Sequence, residues 1–175
     1  FKYCKELSKK NKIKIFYKEI DSIKLFKNKN LESKAREFRY QELNNVCTKN
    51  NIPYALTAHH EDDQIETIFM SIKNKSSWVS TIGIRDKKYI IQNDKNNILL
   101  RPLINVSKKK ISEYIIKHRL LFLDDPTNKD TRFLRNKIRN DIENKINNIV
   151  FRKKYLKISE KNKEKMKKLK SNLKQ

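Results

Sequence analysis

Glycine is nearly absent from this sequence, in which Gly83 is the only one among 175 residues. An average chain of this length holds roughly a dozen glycines. Loops that cradle phosphate need several of them, because the backbone must approach the anion closely and adopt positive φ angles. The composition therefore excludes a phosphate-binding loop or a dinucleotide-binding fingerprint within these residues. We expect the main phosphate contacts of any bound nucleotide to lie outside them.

Cysteine and long apolar runs are also scarce. Cys4 and Cys47 stand far apart and form no C-x-x-C pair, so neither a zinc knuckle nor a redox dithiol is indicated. Both lie in helix-like contexts, where we expect buried side chains in a reducing compartment. No secretory signal or membrane span is evident, and the start at Phe1 without an initiator methionine indicates an incomplete N-terminus. These features favour the cytoplasm, or the plastid stroma for an organellar gene.

Positive charge is what the sequence has in excess, with a formal net charge of +23 at pH 7. Such an excess of cations suits a polyanionic partner, and nucleic acid fits better than a membrane because no amphipathic membrane-binding helix stands out. Compositional drift towards lysine, asparagine and isoleucine in an AT-rich genome is the alternative source of the charge. The last stretch, Arg152–Gln175, is dominated by lysine and is predicted to be a solvated, frayed helix or a disordered tail.

Alternating strand and helix patterns predict an α/β fold with a parallel sheet covered by helices on both faces. The predicted strands are Lys12–Glu19, Tyr54–Ala58, a short strand near Tyr89–Gln92, and Ile98–Leu103. The predicted helices are a helix end before Asn11, Leu31–Lys49, one after the turn His59–Asp62, one capped by Ser107 and one from about Thr131. Ligands of such sheets bind beyond the carboxyl ends of the strands, which directs attention to the turn after Ala58 and the loop after Leu103.

The densest cluster of chemical groups is Ala58–Thr67, at the transition from a strand to a helix. Asp63 and Glu66 project from neighbouring helical positions, and His59 can reach the same point from the strand end. One interpretation is a general base or a Mg²⁺-organising cluster beside a bound nucleotide. The alternative is that acids favour the first helical turn for dipole reasons, with the adjacent histidines a coincidence. Zinc is disfavoured because carboxylates outnumber nitrogen ligands.

Arginines on two predicted helices stand out from their neighbours. Arg39 falls in the middle of the apolar arc of its helix, and Arg36 lies at the edge of that arc. Arg135 falls within the apolar arc of the last core helix, whereas Arg132 and Arg139 point outward and suit phosphate contacts. A guanidinium on an apolar stripe indicates a ligand anion. Snorkelling, or pairing with a core carboxylate, is the alternative.

Four segments, in this order, resemble the tRNA(Ile)-lysidine synthases of the N-type ATP pyrophosphatase group. That family shows E-x-x-A-R-x-x-R-Y, then A-H-H-x-D-D-Q-x-E-T, R-P-L, and D-D-P-[ST]-N-x-D followed by R-N-x-x-R. Here the segments are Glu32–Tyr40, Ala58–Thr67, Arg101–Leu103 and Asp124–Arg139. Taken alone, the acid-rich turn of the last segment also fits plain turn chemistry. The resemblance implies an adenine nucleotide alpha hydrolase-like fold, with residues 1–139 a partial catalytic domain and 140–175 a Lys-rich extension that is helical or disordered.

The resemblance also implies a two-step reaction on the wobble cytidine of tRNA(Ile) with a CAU anticodon. The C2 carbonyl oxygen of the base is adenylated with ATP and Mg²⁺, and the amine of L-lysine then displaces AMP to give lysidine. The residues implied to act around the base and the lysine are Arg39, His59, Asp63, Glu66 and Arg135. The residues expected to contact RNA are Arg36, Arg132 and Arg139.

The sequence departs from this family in one decisive respect. It lacks the Ser-Gly-Gly-x-Asp-Ser loop that binds pyrophosphate, so we expect these 175 residues alone to be inactive. Two rival interpretations stay open. One is another PP-loop tRNA-modifying enzyme, such as a thiolation enzyme, which the unpaired Cys4 and Cys47 oppose. The other is an inactive basic RNA-binding remnant, which the net charge of +23 favours.

Overall fold

The computed structural model describes residues 1–19, 31–91, 94–123, 130 and 134–173. Among these, the helices are α1 (Lys2–Lys10), α2 (Leu31–Lys49), α3 (Glu61–Lys73), α4 (Lys108–Lys117), α5 (Leu134–Ile146) and α6 (Ile149–Asn172). The strands are β1 (Tyr54–Leu56), β2 (Lys87–Ile91) and β3 (Asp94–Leu100), and a short 3-10 helix spans Ser80–Ile82. No described helix combines the length and the apolar character needed to cross a membrane.

The predicted helices are confirmed with small shifts. α2 has the predicted bounds, and α3 begins at Glu61, within the predicted turn His59–Asp62. α4 begins directly after Ser107, whose side chain accepts a hydrogen bond from the Lys110 amide and so caps the helix. The helix start predicted near Thr131 lies outside the described residues, and α5 is described from Leu134.

The three strands form one small sheet in the order β1-β3-β2. Ile98 donates to the Pro53 carbonyl and Thr57 donates to the Leu100 carbonyl, which is the in-step pattern of a parallel pair. Only two residues separate β2 from β3, and a connection that short joins antiparallel strands. The predicted α/β fold with a parallel sheet covered by helices is therefore seen only in part: the described residues are rich in helix, and their small sheet is mixed.

The strand predicted at Lys12–Glu19 is absent. These residues are irregular and exposed, and no described strand pairs with them. A strand needs the hydrogen bonds of a neighbouring strand, so an alternation of residue types does not create one by itself. The side chains make local contacts instead, and the ring centroids of Phe1 and Tyr17 lie 4.0 Å apart.

The strand predicted at Ile98–Leu103 is shifted towards the N-terminus. β3 ends at Leu100, and the R-P-L segment that follows is a turn. Pro102 has no backbone N–H to donate to a sheet, which accounts for the earlier end. Arg101 is buried at 3% exposure and donates from Nη1 to the Arg85 carbonyl.

The chain divides into two compact units. They are Phe1–Ala55 with Tyr89–Ile98, and Leu56–Lys88 with Leu99–Gln175. In the first unit, the side-chain Nδ2 of Asn97 in β3 donates to Asn44 Oδ1 at 3.0 Å and to Thr48 Oγ1 at 2.8 Å. Cys47 is buried as predicted, and burial raises the pKa of its thiol. Cys4 is exposed, so the prediction that both cysteines are buried is wrong for Cys4.

The core of the second unit lies where α3, α5 and α6 meet. Its buried apolar residues are Ile65, Ile68, Ile142 and Tyr155. Burial raises the pKa of the Tyr155 hydroxyl, and the ring of Phe69 lies 5.6 Å from that of Tyr155. Of the predicted alternatives for this stretch, a solvated, frayed helix or a disordered tail, the structure shows a helix, but its first half packs into the core and is not solvated on all sides. Phe151, Tyr155, Leu156 and Ile158 pack into the core, whereas Ile149, Val150 and Leu169 are exposed.

The single glycine allows a close contact with α3. Gly83 has a φ of +78°, and a Cβ at this position would lie 2.6 to 2.9 Å from side-chain atoms of Gln64. The buried Gln64 carboxamide donates to the Ile82 carbonyl and to the Ser159 hydroxyl, each at 3.2 Å. It also accepts a hydrogen bond from the Ile84 amide. One side chain thus connects α3, the loop around Gly83 and α6.

Candidate functional site

α3 begins at a capping box formed by His60 and Asp63. Asp63 Oδ2 accepts a hydrogen bond from the His60 amide at 2.9 Å, and His60 Nδ1 accepts one from the Asp63 amide at 3.4 Å. Glu61, Asp62 and Asp63 occupy the first turn, where the helix dipole favours carboxylates. Dipole stabilisation therefore accounts for part of this acidic cluster. The second histidine is a helix cap, which the sequence interpretation did not anticipate.

Four side chains from α3 and α5 form a compact group of ion pairs, here called the carboxylate–arginine network: Asp63, Glu66, Arg135 and Arg139. Arg135 donates from Nε to Glu66 Oε2 at 3.1 Å and from Nη2 to Asp63 Oδ1 at 2.9 Å. Arg139 donates from Nε to Glu66 Oε1 at 2.8 Å and from Nη2 to Asp63 Oδ1 at 3.2 Å. Each guanidinium therefore spans both carboxylates, as its planar fork of donors permits.

The network is charge-balanced, with its anions inside and its cations outside. The side chains of Asp63 and Glu66 are 9% and 7% exposed, against 25% and 36% for Arg135 and Arg139. Burial opposes the charge of Arg139, but hydrogen bonds and charge interactions with Glu66 and Asp63 outweigh it and raise the pKa of the guanidinium. Partly exposed cations over buried carboxylates leave a polar surface that a ligand can reach.

Arg135 and Arg139 lie on the same face of α5. Arg135 was expected on the apolar stripe as a cation aimed at an anion, and the anions that it meets are protein carboxylates. The expectation that Arg139 points outward is wrong. The two positions are four residues apart, which places both guanidinium groups over α3.

The remaining predicted residues are not members of this network of ion pairs, or they fall outside the described residues. His59 is partly buried, with its Nδ1 2.9 Å from Thr57 Oγ1. Arg36 and Arg39 belong to the first compact unit, and both are exposed. The expectation of Arg39 on a buried stripe is therefore wrong, and Arg36 lies over the ring of Tyr40 at 5.4 Å. Arg132 and the predicted turn at 124–128 lie outside the described residues.

Arg152 of α6 is a second anchor for the start of α3, and the sequence interpretation missed it. Its Nη2 lies 2.5 Å from Glu61 Oε1 and 2.7 Å from Asp62 Oδ1, and its Nη1 donates to the Ile146 carbonyl at 2.9 Å. Burial opposes its charge, but the hydrogen bonds to Asp62 and Glu61 outweigh it and raise the pKa of the guanidinium. The available signal was an arginine next to Phe151 at the start of an otherwise lysine-rich helix.

The described carboxylates do not fit the Mg²⁺ interpretation. Asp63 and Glu66 each face two guanidinium groups, which already balance their charge. Within residues 1–19, 31–91, 94–123, 130 and 134–173, no group of three or more His, Cys, Asp or Glu could hold a metal ion. As arranged, the two acids suit a hydrogen-bond donor or an organic cation better than a bare divalent ion.

Comparison with known proteins gives a matching family and several similar proteins. The family described as "PP-loop domain" matches residues 1–146. The tRNA(Ile)-lysidine synthase of Wolbachia pipientis wMel is 36% identical over 134 residues, covering 76% of this chain and 29% of that protein. That of Blochmanniella pennsylvanica (strain BPEN) is 38% identical over 110 residues, covering 63% and 21%. That of Rickettsia africae (strain ESF-5) is 34% identical over 110 residues, covering 62% and 22%. The chain thus spans less than a third of the length of each of these relatives.

Proposed function

The chain belongs to the PP-loop domain family, and on that premise we propose that it acts in tRNA modification as part of a tRNA(Ile)-lysidine synthase. In the proposed reaction, the C2 carbonyl oxygen of the wobble cytidine bonds to the α-phosphorus of ATP and pyrophosphate leaves. The amine of L-lysine then forms a bond to C2, and the bond from C2 to oxygen breaks as AMP leaves. The amine proton passes to a base in the site.

The carboxylate–arginine network is the observation that carries this proposal. Each ionised carboxylate oxygen can accept about two hydrogen bonds. Glu66 Oε1 and Oε2 each accept one guanidinium bond, whereas Asp63 Oδ1 accepts two. Among the contacts of the described residues, Glu66 therefore retains a free lone pair on each oxygen. We assign Glu66 the role of accepting hydrogen bonds from the lysine amine, which aligns it for attack and can take its proton.

The roles of the other residues follow as parts of the same proposal. Arg135 holds Asp63 and Glu66 in place and offers its outer edge to the base or to the developing negative charge. His59 and Arg39 are assigned to the base and the lysine by their motif positions. Phosphate contacts with the RNA are assigned to Arg36, Arg132 and Arg139. Of the last set, Arg139 contributes its exposed edge, because its inner edge is occupied by Glu66 and Asp63.

ATP is the proposed adenylate donor, as expected for this family. The only glycine, Gly83, is committed to its contact with Gln64, and we assign no phosphate-gripping residues. We likewise assign no Mg²⁺ ligands among the described residues and route no step through the ion. The division into a catalytic part at 1–139 and a basic extension at 140–175, with action in the cytoplasm or a plastid stroma, belongs to the same proposal.

The proposal is tested on the full product of the gene that encodes this sequence. We expect it to release AMP only when L-lysine and tRNA(Ile) with a CAU anticodon are both present, and mass spectrometry of the digested tRNA will show lysidine. Glu66→Gln is expected to lower kcat by on the order of 100-fold with a smaller change in the KM for ATP. AMP release without any dependence on lysine would overturn the assignment.

A further inference from the structure

α6 is the most strongly basic element that the structure describes. Between Ile149 and Asn172 it carries nine lysines and one arginine against two glutamates. Arg152 is used internally, in ion pairs with Glu61 and Asp62. The lysines are all exposed. The helix therefore presents a large positive charge that the acids in the described part of the chain do not neutralise.

This charge stands on a helix whose orientation is fixed. Tyr155 and Ser159 are buried at 8% and 2% exposure. The Ser159 hydroxyl donates to the Ile82 carbonyl at 2.7 Å, and the side-chain Nδ2 of Asn162 donates to Thr81 Oγ1 at 2.7 Å. A helix docked by buried polar contacts cannot rotate about its axis without breaking them. The outward face of α6 is thus a defined surface.

Six lysines share that outward face, which we call the lysine face. At 100° per residue they fall within an arc of about 120°, and from first to last they span about 23 Å. They are Lys153, Lys154, Lys157, Lys161, Lys165 and Lys168. In the part of the chain that the structure describes, none of them forms an ion pair. Lys165 lies 4.5 Å from the ring centroid of Trp78, and Glu164 is the one acid within the arc.

We infer that the lysine face binds the phosphate backbone of RNA. A row of exposed ammonium groups on a helix held in one orientation matches a row of phosphates, and binding gains from the release of the counterions that the phosphates hold. A membrane fits less well, because Phe151, Tyr155, Leu156 and Ile158 of α6 pack into the core. The exposed apolar residues, Ile149, Val150 and Leu169, stand near the two ends of the helix and form no continuous apolar face to insert into lipid. Lysine contacts to phosphate carry no sequence information, so this surface positions RNA without selecting it. The inference rests on the proposed function only for the identity of the RNA as tRNA(Ile).

The test compares two variants of equal charge. Lys153, Lys157, Lys161 and Lys168 are replaced together by Gln, which has a similar helix propensity and spares Lys165 beside Trp78. The matched control replaces Lys2, Lys5, Lys9 and Lys10 of α1, which are also exposed and helical. Binding of tRNA(Ile) and of an unrelated tRNA is measured by filter retention across a series of salt concentrations, with circular dichroism to confirm folding.

We expect the lysine-face variant to bind both tRNAs on the order of tenfold or more weakly, and the slope of log K against log[salt] to fall by about 4. The control should keep most of the affinity. Equal losses in both variants would show that only total charge matters and would overturn the inference. Retained RNA binding, with binding to phosphatidylserine vesicles lost instead, would overturn it in favour of a membrane. AMP release is measured in a separate assay, so the RNA-binding result can be interpreted even if the catalytic proposal fails.

Discussion

At the scale of single residues, the carboxylate–arginine network compensates for the water that Asp63 and Glu66 lose on burial. It does so with four charge-assisted hydrogen bonds from Arg135 and Arg139. Asp63 and Glu66 are nearly buried, which would be costly for unpaired anions. Arg135 and Arg139 compensate both of them, so removing one member leaves an uncompensated charge. The same geometry serves stability and places a charged surface at the start of α3.

Glu66→Gln is expected to lower the free energy of unfolding by about 1–3 kcal/mol, because Asp63 would then be the only anion among the described residues that Arg135 and Arg139 contact. Urea unfolding followed by circular dichroism measures the change. Glu160→Gln is the matched control, since Glu160 is exposed on α6 and forms no ion pair with a described residue. A loss no larger than that of the control would show that the network does not stabilise the fold.

The sequence indicated which residues of the network are functionally interesting more readily than which partners they contact. Asp63, Glu66 and Arg135 stand out because charges and helical spacing bring them together. The error for Arg39 has a specific cause. The buried face of α2 includes Asn44, whose polar side chain is satisfied by Asn97 of β3. Such a pairing between distant segments cannot be read from hydropathy, so the apolar residues of α2 predict the wrong face.

At the scale of elements, α6 supports the start of α3 through one buried side chain. Arg152 contacts Glu61, Asp62 and the last carbonyl of α5 at Ile146. It therefore joins three helix ends, where unpaired backbone groups and charges concentrate. The network of Asp63 lies in the same turn of α3, so its geometry depends on this anchor.

Arg152→Ala is expected to destabilise the chain by about 2–4 kcal/mol, because two part-buried carboxylates lose their cation. Lys153→Ala removes the neighbouring positive charge on an exposed position and should change stability by less than about 0.5 kcal/mol. Thermal unfolding of both variants beside the parent provides the measurement. Similar melting temperatures for the two variants would contradict the anchoring role.

Helices could be predicted from the sequence better than strands. The bounds of α2 and the Ser107 cap of α4 follow from local signals that lie within a few residues. Strand identity depends on a partner elsewhere in the chain, which is why Lys12–Glu19 alternates without being a strand. The packing of α6 was hidden because lysines on its outer face dominate its composition, although Phe151, Tyr155 and Ile158 recur at helical spacing.

At the scale of the whole molecule, a net charge of +23 on 175 residues opposes compaction. Most of the described ion pairs are concentrated in one region, where the acids at the start of α3 contact Arg135, Arg139 and Arg152. Most lysines are left to repel one another. A polyanion that binds the outer surface would relieve this repulsion and stabilise the fold at the same time.

The melting temperature is expected to rise by about 2–6 °C between roughly 50 mM and 500 mM NaCl, because salt screens the self-repulsion. KCl should give the same rise, which separates screening from ion-specific binding. Differential scanning calorimetry or fluorimetry follows the transition. A melting temperature that falls with salt would mean that the favourable ion pairs around α3 outweigh the repulsion among the lysines.

The contact between Gly83 and Gln64 makes tolerance to mutation uneven along the chain. Drift in base composition can recode a glycine wherever a Cβ finds room, and here it finds none. In a saturation mutagenesis library selected for folded protein, we therefore expect every replacement of Gly83, even alanine, to be depleted. Replacements at exposed sites such as Ser76 and Ser77 should be retained. We therefore expect mutational pressure towards lysine and asparagine codons to leave the glycine codon at this position unchanged.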